Sequence, residues 1–164
     1  MITDSDISLC WEFAHKQLET SRDCYEARGL APSRLHSQIM QGKLAEIFVS
    51  RYLALHGRFT STPDFDIHQK HFKSYDADLK LREHDLHVKS CHIDIAKKVG
   101  WGWVFQKNDP LVTRPNNNDW IVLVKVYPSN KMEIASIING LDAIYKPPKY
   151  NLPSKCVIYE RDII

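Results

Sequence analysis

The chain is most informative at first for what it lacks. Its 164 residues contain no Walker A loop, no GxGxxG and no GxSxG, so P-loop nucleotide hydrolysis, dinucleotide binding and esterase chemistry are without support. Cysteine is sparse: Cys10, Cys24, Cys91 and Cys156 are scattered and form no CxxC pair, as expected of reduced thiols in a cytoplasmic protein. The opening MITDSDISLC places acids where a signal peptide carries bases. The longest apolar stretch, WIVLV from Trp120 to Val124, falls far short of the roughly 20 residues of a membrane-spanning helix, so a soluble protein is expected. Neither sign of charge dominates, with 22 basic residues against 20 acidic ones for a formal +2; that balance permits contact with a polyanion without requiring it. There is no internal repeat and no low-complexity tract.

What is present fits a single domain. At 43% hydrophobic content the chain can bury one core without disulfides or a structural metal. Ile7, Cys10, Trp11, Ala14 and Leu18 recur at helical spacing, which predicts a first helix capped by Asp4 or Ser5 and reaching about Thr20. A second short helical stretch is expected before RGLAPS, where Gly29 and Pro32 interrupt the pattern. Ser33 precedes the best helix, RLHSQIMQGKLAEIFVSRYLALHG, with Gly57 as its terminating glycine. From Phe59 onward the period shortens to two, and ADLKL, LHVKS, WVFQ, WIVLVKVY, MEIASII and CVIYE read as strands. Turn-rich pieces such as TRPNNND and YKPPKYNLPSK separate them as surface connections able to touch a ligand. Helices followed by strands predict an α+β or mixed α/β domain with a mixed sheet flanked by helices. It divides into an N-terminal helical region (1–32), a core (33–127) and C-terminal strands and loops (128–164).

The stretch SYDADLKLREHDLHVKSC sets an acidic strand against a basic one. With Glu83 and His84 at the centre of a two-residue turn, Arg82 pairs with Asp85, Lys80 with His87 and Asp78 with Lys89. Side chains alternate along a strand. Asp76, Asp78 and Lys80 therefore share a face with His87, Lys89 and Cys91, while Ala77, Leu79, Leu81, Leu86 and Val88 supply the core face. Upstream, Ile39, Gly42, Glu46, Val49 and Leu53 follow 3-4-3-4 spacing, which drops a carboxylate into a row of apolar and small residues. Burying an ionised Glu is costly without a cation or strong donors nearby.

Helix Glu46, then Asp78 on one strand, then HVK ending in Lys89 on the next, followed by WVFQ, resembles the PD-(D/E)xK nuclease superfamily of restriction endonucleases, junction resolvases and repair nucleases. The resemblance covers roughly residues 35–127. It implies a restriction-endonuclease-like fold and a metal-dependent DNA endonuclease. Carried over by position, Asp78 matches the metal-binding aspartate, Lys89 the lysine beside the attacking water, Glu46 the helix glutamate supporting a metal or its water, and Gln106 a glutamine near the active site. Mg²⁺ or Mn²⁺ is the implied cofactor. His87 departs from the pattern, standing where the family usually has Glu or Asp. An imidazole there suits Mn²⁺, Co²⁺, Ni²⁺ or Zn²⁺ better than Mg²⁺, or it acts on the water directly or binds phosphate when protonated. TPDFDI offers Asp64 and Asp66 as alternatives to Asp78, and Asp76 is a further one.

The chemistry requires these residue types because a phosphodiester repels hydroxide: a bound cation lowers the pKa of water and offsets transition-state charge, and a lysine adds fixed positive charge. His84, His87, Cys91 and His92 match no common zinc template. KKVGWGWVFQK places Lys97, Lys98 and Lys107 near Trp101 and Trp103, a mixture suited to nucleic acid; Trp101, beside two glycines, is the expected exposed ring, and Trp103 a core residue. Asn117, within Asn116–Asn118, is a candidate reader of base edges. The expected partners are DNA and a second copy of the chain, since one site cuts one strand, and the first helix is the candidate dimer face. The alternatives are a structure-specific nuclease acting on branched DNA or nicking it, and a DNA-binding module that has lost catalysis.

Overall fold

Two long helices open the chain. The computed structural model describes residues 1–26, 31–67 and 76–163, the side chains of 21–26 excepted. Helix α1 (Asp4–Glu26) is capped by Thr3 rather than by Asp4 or Ser5: Thr3 N and Oγ1 both donate to Asp6 Oδ2 at 2.7 Å, and Asp6 N donates back to Thr3 Oγ1 at 3.3 Å. Reciprocal side-chain and backbone bonds of this kind satisfy N–H groups that the first helical turn leaves open. The helix then continues past Thr20 to Glu26 as one element, absorbing the expected second stretch; Gly29 lies outside the described residues. Helix α2 (Pro32–Leu55) starts at a proline, whose missing N–H is no loss in a first turn, and Gly57 follows its end at φ 72°.

Cys10 from α1 packs against Leu44 and Ile47 of α2, and a partly buried ionic fork joins the same helices. Arg51 Nη1 and Nη2 donate to Asp6 Oδ2 and Oδ1 at 2.5 and 2.7 Å. Burial opposes ionisation of Asp6, but the bonds from Arg51 and Thr3 outweigh it and hold its pKa at about 2.

The central sheet has the order β1-β2-β4-β5, from β1 (Leu79–Leu81), β2 (His84–His92), β4 (Asp119–Val126) and β5 (Met132–Asn139). β1 runs antiparallel to β2, β2 parallel to β4, and β4 antiparallel to β5. The protein is thus an α+β domain with a mixed central sheet flanked by helices. The parallel pairing needs a crossover, which passes through α3 (Ile93–Val99), β3 (Gly102–Gln106) and α4 (Pro110–Thr113). β3 pairs with β6 (Lys155–Tyr159) as a second, two-stranded antiparallel sheet. The two short helices escape sequence periodicity because seven and four residues complete too few turns to show it.

Each face of the central sheet meets a different layer. Leu79, Leu86, Val88, Val122, Val124 and Val126 pack on Ala45, Val49 and Leu53 of α2. On the opposite face Cys91, Ile121 and Leu123 pack on Trp103, Phe105, Cys156 and Ile158 of the second sheet. The WIVLV run is explained by this arrangement: Ile121 to Val124 are fully buried because β4 has a layer on both sides. Trp103 is fully buried as expected, and its indole Nε1 donates to Val124 O at 3.0 Å. Cys10, Cys91 and Cys156 are buried free thiols; Cys24 falls among the undescribed side chains. Burial pushes the Cys10 thiol up to about 12. Among the described residues no helix is long and apolar enough to cross a membrane.

Candidate functional site

The hairpin forms, but two residues out of the expected register. Leu79 pairs with Leu86, Lys80 with Asp85 and Leu81 with His84, which makes Arg82 and Glu83 the turn. The expected partners Lys80 with His87, Asp78 with Lys89 and Arg82 with Asp85 are replaced. The observed register pairs leucines on the core face and brings Lys80 Nζ to 3.0 Å from Asp85 Oδ1. Arg82 adopts φ 55° to close the turn, a left-handed conformation that a non-glycine residue adopts only at some cost. A slip of two residues leaves every side chain on its expected face, because strand alternation has period two.

This register gives Asp78 a defined place. β1 begins at Leu79, and just before it the Asp78 carboxylate takes over from the ladder: Oδ2 accepts the Val88 N–H at 2.7 Å. The carboxylate is therefore bonded to the residue immediately before Lys89. Glu46, on the sheet-facing side of α2, is 6% exposed. Its Oε2 accepts from Lys43 Nζ at 2.7 Å. Burial first, and then the charge of Asp78, push the Glu46 pKa up to about 7 despite that ion pair, with a smaller push from Asp64. Glu46 and Asp78, brought from two elements, thus act on one another electrostatically.

Lys89 alternates with Val88 and so lies on the sheet face turned to the second sheet, opposite α2. Lys89 is partly buried, with Nζ 5.6 Å from the centre of the Phe105 ring on β3. His87 is engaged by Asp119: its Nε2 lies 3.4 Å from Asp119 Oδ1, each side chain being 12% exposed. Asp119 is fixed in turn by the Asn116 N–H at 2.8 Å to Oδ2. Gln106 sits partly buried at the end of β3, opposite Lys155. Asp64 and Asp66 occupy an exposed turn in which Asp66 N donates to Asp64 Oδ1 at 2.7 Å, and Asp76 is exposed.

Lys97 and Lys98 stand exposed in the last turn of α3. Trp101 is engaged rather than free: its ring lies edge-on to Tyr127 at 5.6 Å, with Lys125 Nζ 5.3 Å over it. Asn116, Asn117 and Asn118 are exposed and form a turn, with Asn118 N donating to Asn116 Oδ1 and Asn139 Nδ2 to Asn117 O. The partners that sequence reasoning did not assign are Lys43 as the bonded counter-ion of Glu46 and Asp119 as the partner of His87. Lys43 lies three residues before Glu46, on the same helix face. Asp119 had no local signal, because it reaches His87 only through the pairing of β2 with β4.

Glu46 and Asp78 are two carboxylates from separate elements, one buried and repelled by the other, and carboxylate oxygens are the donor type that hard divalent cations take. Among the described residues no group of three or more His, Cys, Asp or Glu side chains gathers to hold an ion. Two carboxylates are the number on which Mg²⁺ or Mn²⁺ commonly rests when waters and a substrate phosphate complete its shell. The pair does not fit a closed cage or a zinc site. No protein-family model, curated protein or solved structure matches the chain.

Proposed function

We propose that the protein is a divalent-cation-dependent phosphodiester hydrolase. Within that class, the order Glu46, Asp78, Lys89 along helix and hairpin favours a DNA endonuclease of the PD-(D/E)xK kind. The observation that carries this reading is the buried Glu46 of α2 set against Asp78, whose carboxylate is bonded by Val88 N on the strand that carries Lys89, because opposed acids of this sort mark functional sites. Glu46 and Asp78 would hold Mg²⁺ or Mn²⁺, which when bound supplies a more acidic water and offsets charge on the phosphate. The Val88 N–H aims one Asp78 oxygen, and Lys43 offsets the Glu46 charge. Lys89 follows Val88 directly on β2 and contributes an ammonium where negative charge accumulates. His87, tied to Asp119, serves the site from outside the cation's ligand set.

Duplex cleavage by one site per chain calls for a homodimer, and the face of α1 that carries Leu9, 46% exposed, is the proposed contact. Supercoiled, linear and branched DNA incubated with Mg²⁺ or Mn²⁺ tests the reading. Nicking or cutting is expected from the unmodified protein and a loss of at least 100-fold from Lys89→Ala, on the scale of removing one electrostatic stabiliser. Unchanged cleavage by Lys89→Ala sinks it. The second reading, a DNA-binding module without catalysis, draws on the His87–Asp119 pairing, which fills the usual carboxylate position with an engaged imidazole; binding without cleavage under every cation favours it.

A further inference from the structure

From Ala143 through β6 to Tyr159 the chain carries no acid, and the connection leading to β6 holds Lys146 and Lys149. Its placement is fixed. Lys146 and Val157 exchange backbone bonds at 2.8 and 2.9 Å, which pins the segment along β6. Lys149 crosses to α3, where its Nζ donates to Val99 O at the helix end and stands 5.3 Å over the Tyr159 ring. Gly100, at φ 85°, lies beneath it, and a Cβ there would come within 3.5 Å of Nζ. The guanidinium of Arg161 is 5.4 Å from the centre of the same Tyr159 ring. Lys97 and Lys98 extend this face from the last turn of α3.

Cations are thus assembled on one side of the molecule with few acids between them. Of the acids in the flanking segments, Glu160 is paired with Lys125 at 2.6 Å, Asp109 accepts the Leu111 N–H at 3.0 Å, Asp94 lies one turn before Lys97 and Lys98 on α3, and Asp162 follows Arg161. Among the described residues none forms an ion pair with Lys97, Lys98, Lys146, Lys149 or Arg161. Like charges held together without counter-ions are unfavourable until a polyanion arrives. Pro147, Pro148 and Pro153 stiffen the segment, so little chain entropy remains to be lost on binding. Tyr150, 58% exposed between Lys149 and Asn151, adds a ring of the type that stacks on bases.

We infer that this face, built from the last turn of α3, the 146–155 connection and Arg161, is a track for the phosphate backbone of DNA. The assignment rests on the nuclease reading for its choice of nucleic acid over other polyanions. The test is binding of a labelled DNA duplex followed by fluorescence anisotropy in EDTA across a salt series, which makes it independent of cleavage. Three phosphate contacts removed by Lys97→Ala/Lys98→Ala/Lys146→Ala should flatten the slope of log K against log salt by about 2.7, while Lys16→Ala on α1 leaves it unchanged. Lys149 is left in place because it closes the end of α3. A matching RNA duplex losing affinity in parallel supports backbone contact. Equal affinity and slope in the triple variant overturns the track, as does displacement of DNA by polyglutamate at equal charge concentration. Cleavage by the unmodified protein alongside an unaffected triple variant would remove the track and spare the active site. Loss of binding in the triple variant without any cleavage would do the reverse.

Discussion

Glu46 carries its negative charge where its surroundings oppose it. Burial and then Asp78 raise its pKa to about 7 from an ordinary 4.5. An acid whose folded pKa is raised favours the folded state below its unfolded pKa, and that advantage is lost as pH climbs toward the folded value. In EDTA, denaturant melts should therefore show stability falling between about pH 4.5 and 7, by a total on the order of 3 kcal/mol. Glu46→Gln should flatten that fall, and Mn²⁺ added to the unmodified protein should reverse part of it. A pH profile identical in both proteins would mean that Glu46 titrates normally. Asp6 behaves with the opposite sign: its depressed pKa, about 2, stabilises above its unfolded pKa and is lost as pH drops through 2. Of these two acids only Glu46 was marked by the sequence, since its place in an apolar stripe is visible in spacing. The coupling of Asp6 to Arg51 joins residues 45 apart in the chain and leaves no local trace.

At the scale of the element, the hairpin separates architecture from chemistry at Asp78. Its carboxylate both closes the backbone at Val88 and acts on Glu46. Asp78→Asn retains an amide oxygen able to accept the Val88 N–H, so melting should change by less than about 1 kcal/mol, whereas Asp78→Ala leaves that N–H without its partner and should cost about 1–3 kcal/mol. Both substitutions should abolish cation-dependent cleavage. Calorimetric titration with Mn²⁺ supplies a readout that structure alone would not move: binding should weaken in Asp78→Asn although the fold is intact. The alternating pattern was enough to read the two strands and their faces from sequence. The register was not legible, because it depends on Arg82 accepting a positive φ, a choice made by the whole sheet rather than by a turn-forming residue. The six strands were likewise visible from period two, while α3 and α4 were too short for period 3.6.

At the scale of the whole molecule, one sheet serves two cores. β2 and β4 present Val88, Val122 and Val124 to α2 and Cys91, Ile121 and Leu123 to the second sheet, so neither outer layer can detach without exposing a central strand. A bond crosses the layers as well, from Trp103 Nε1 to Val124 O. A single cooperative unfolding transition is expected from such sharing. Val49→Ala, in the core beneath α2, should lower stability by about 1–3 kcal/mol. Trp103→Phe, in the other core, loses indole volume and strands the Val124 carbonyl, with a cost of about 1–3 kcal/mol. The substitutions lie on opposite sides of the sheet and share no direct contact among those described, so their effects should add to within about 0.5 kcal/mol with an unchanged denaturant slope. Coincident fluorescence and circular-dichroism transitions in both variants and in their combination check this. A biphasic melt in Trp103→Phe alone, with far-ultraviolet helix signal persisting after tryptophan exposure, would instead show the second sheet unfolding as a separate unit. Lys89 would then be seated against a layer that opens by itself, since its Nζ rests over Phe105 of that sheet.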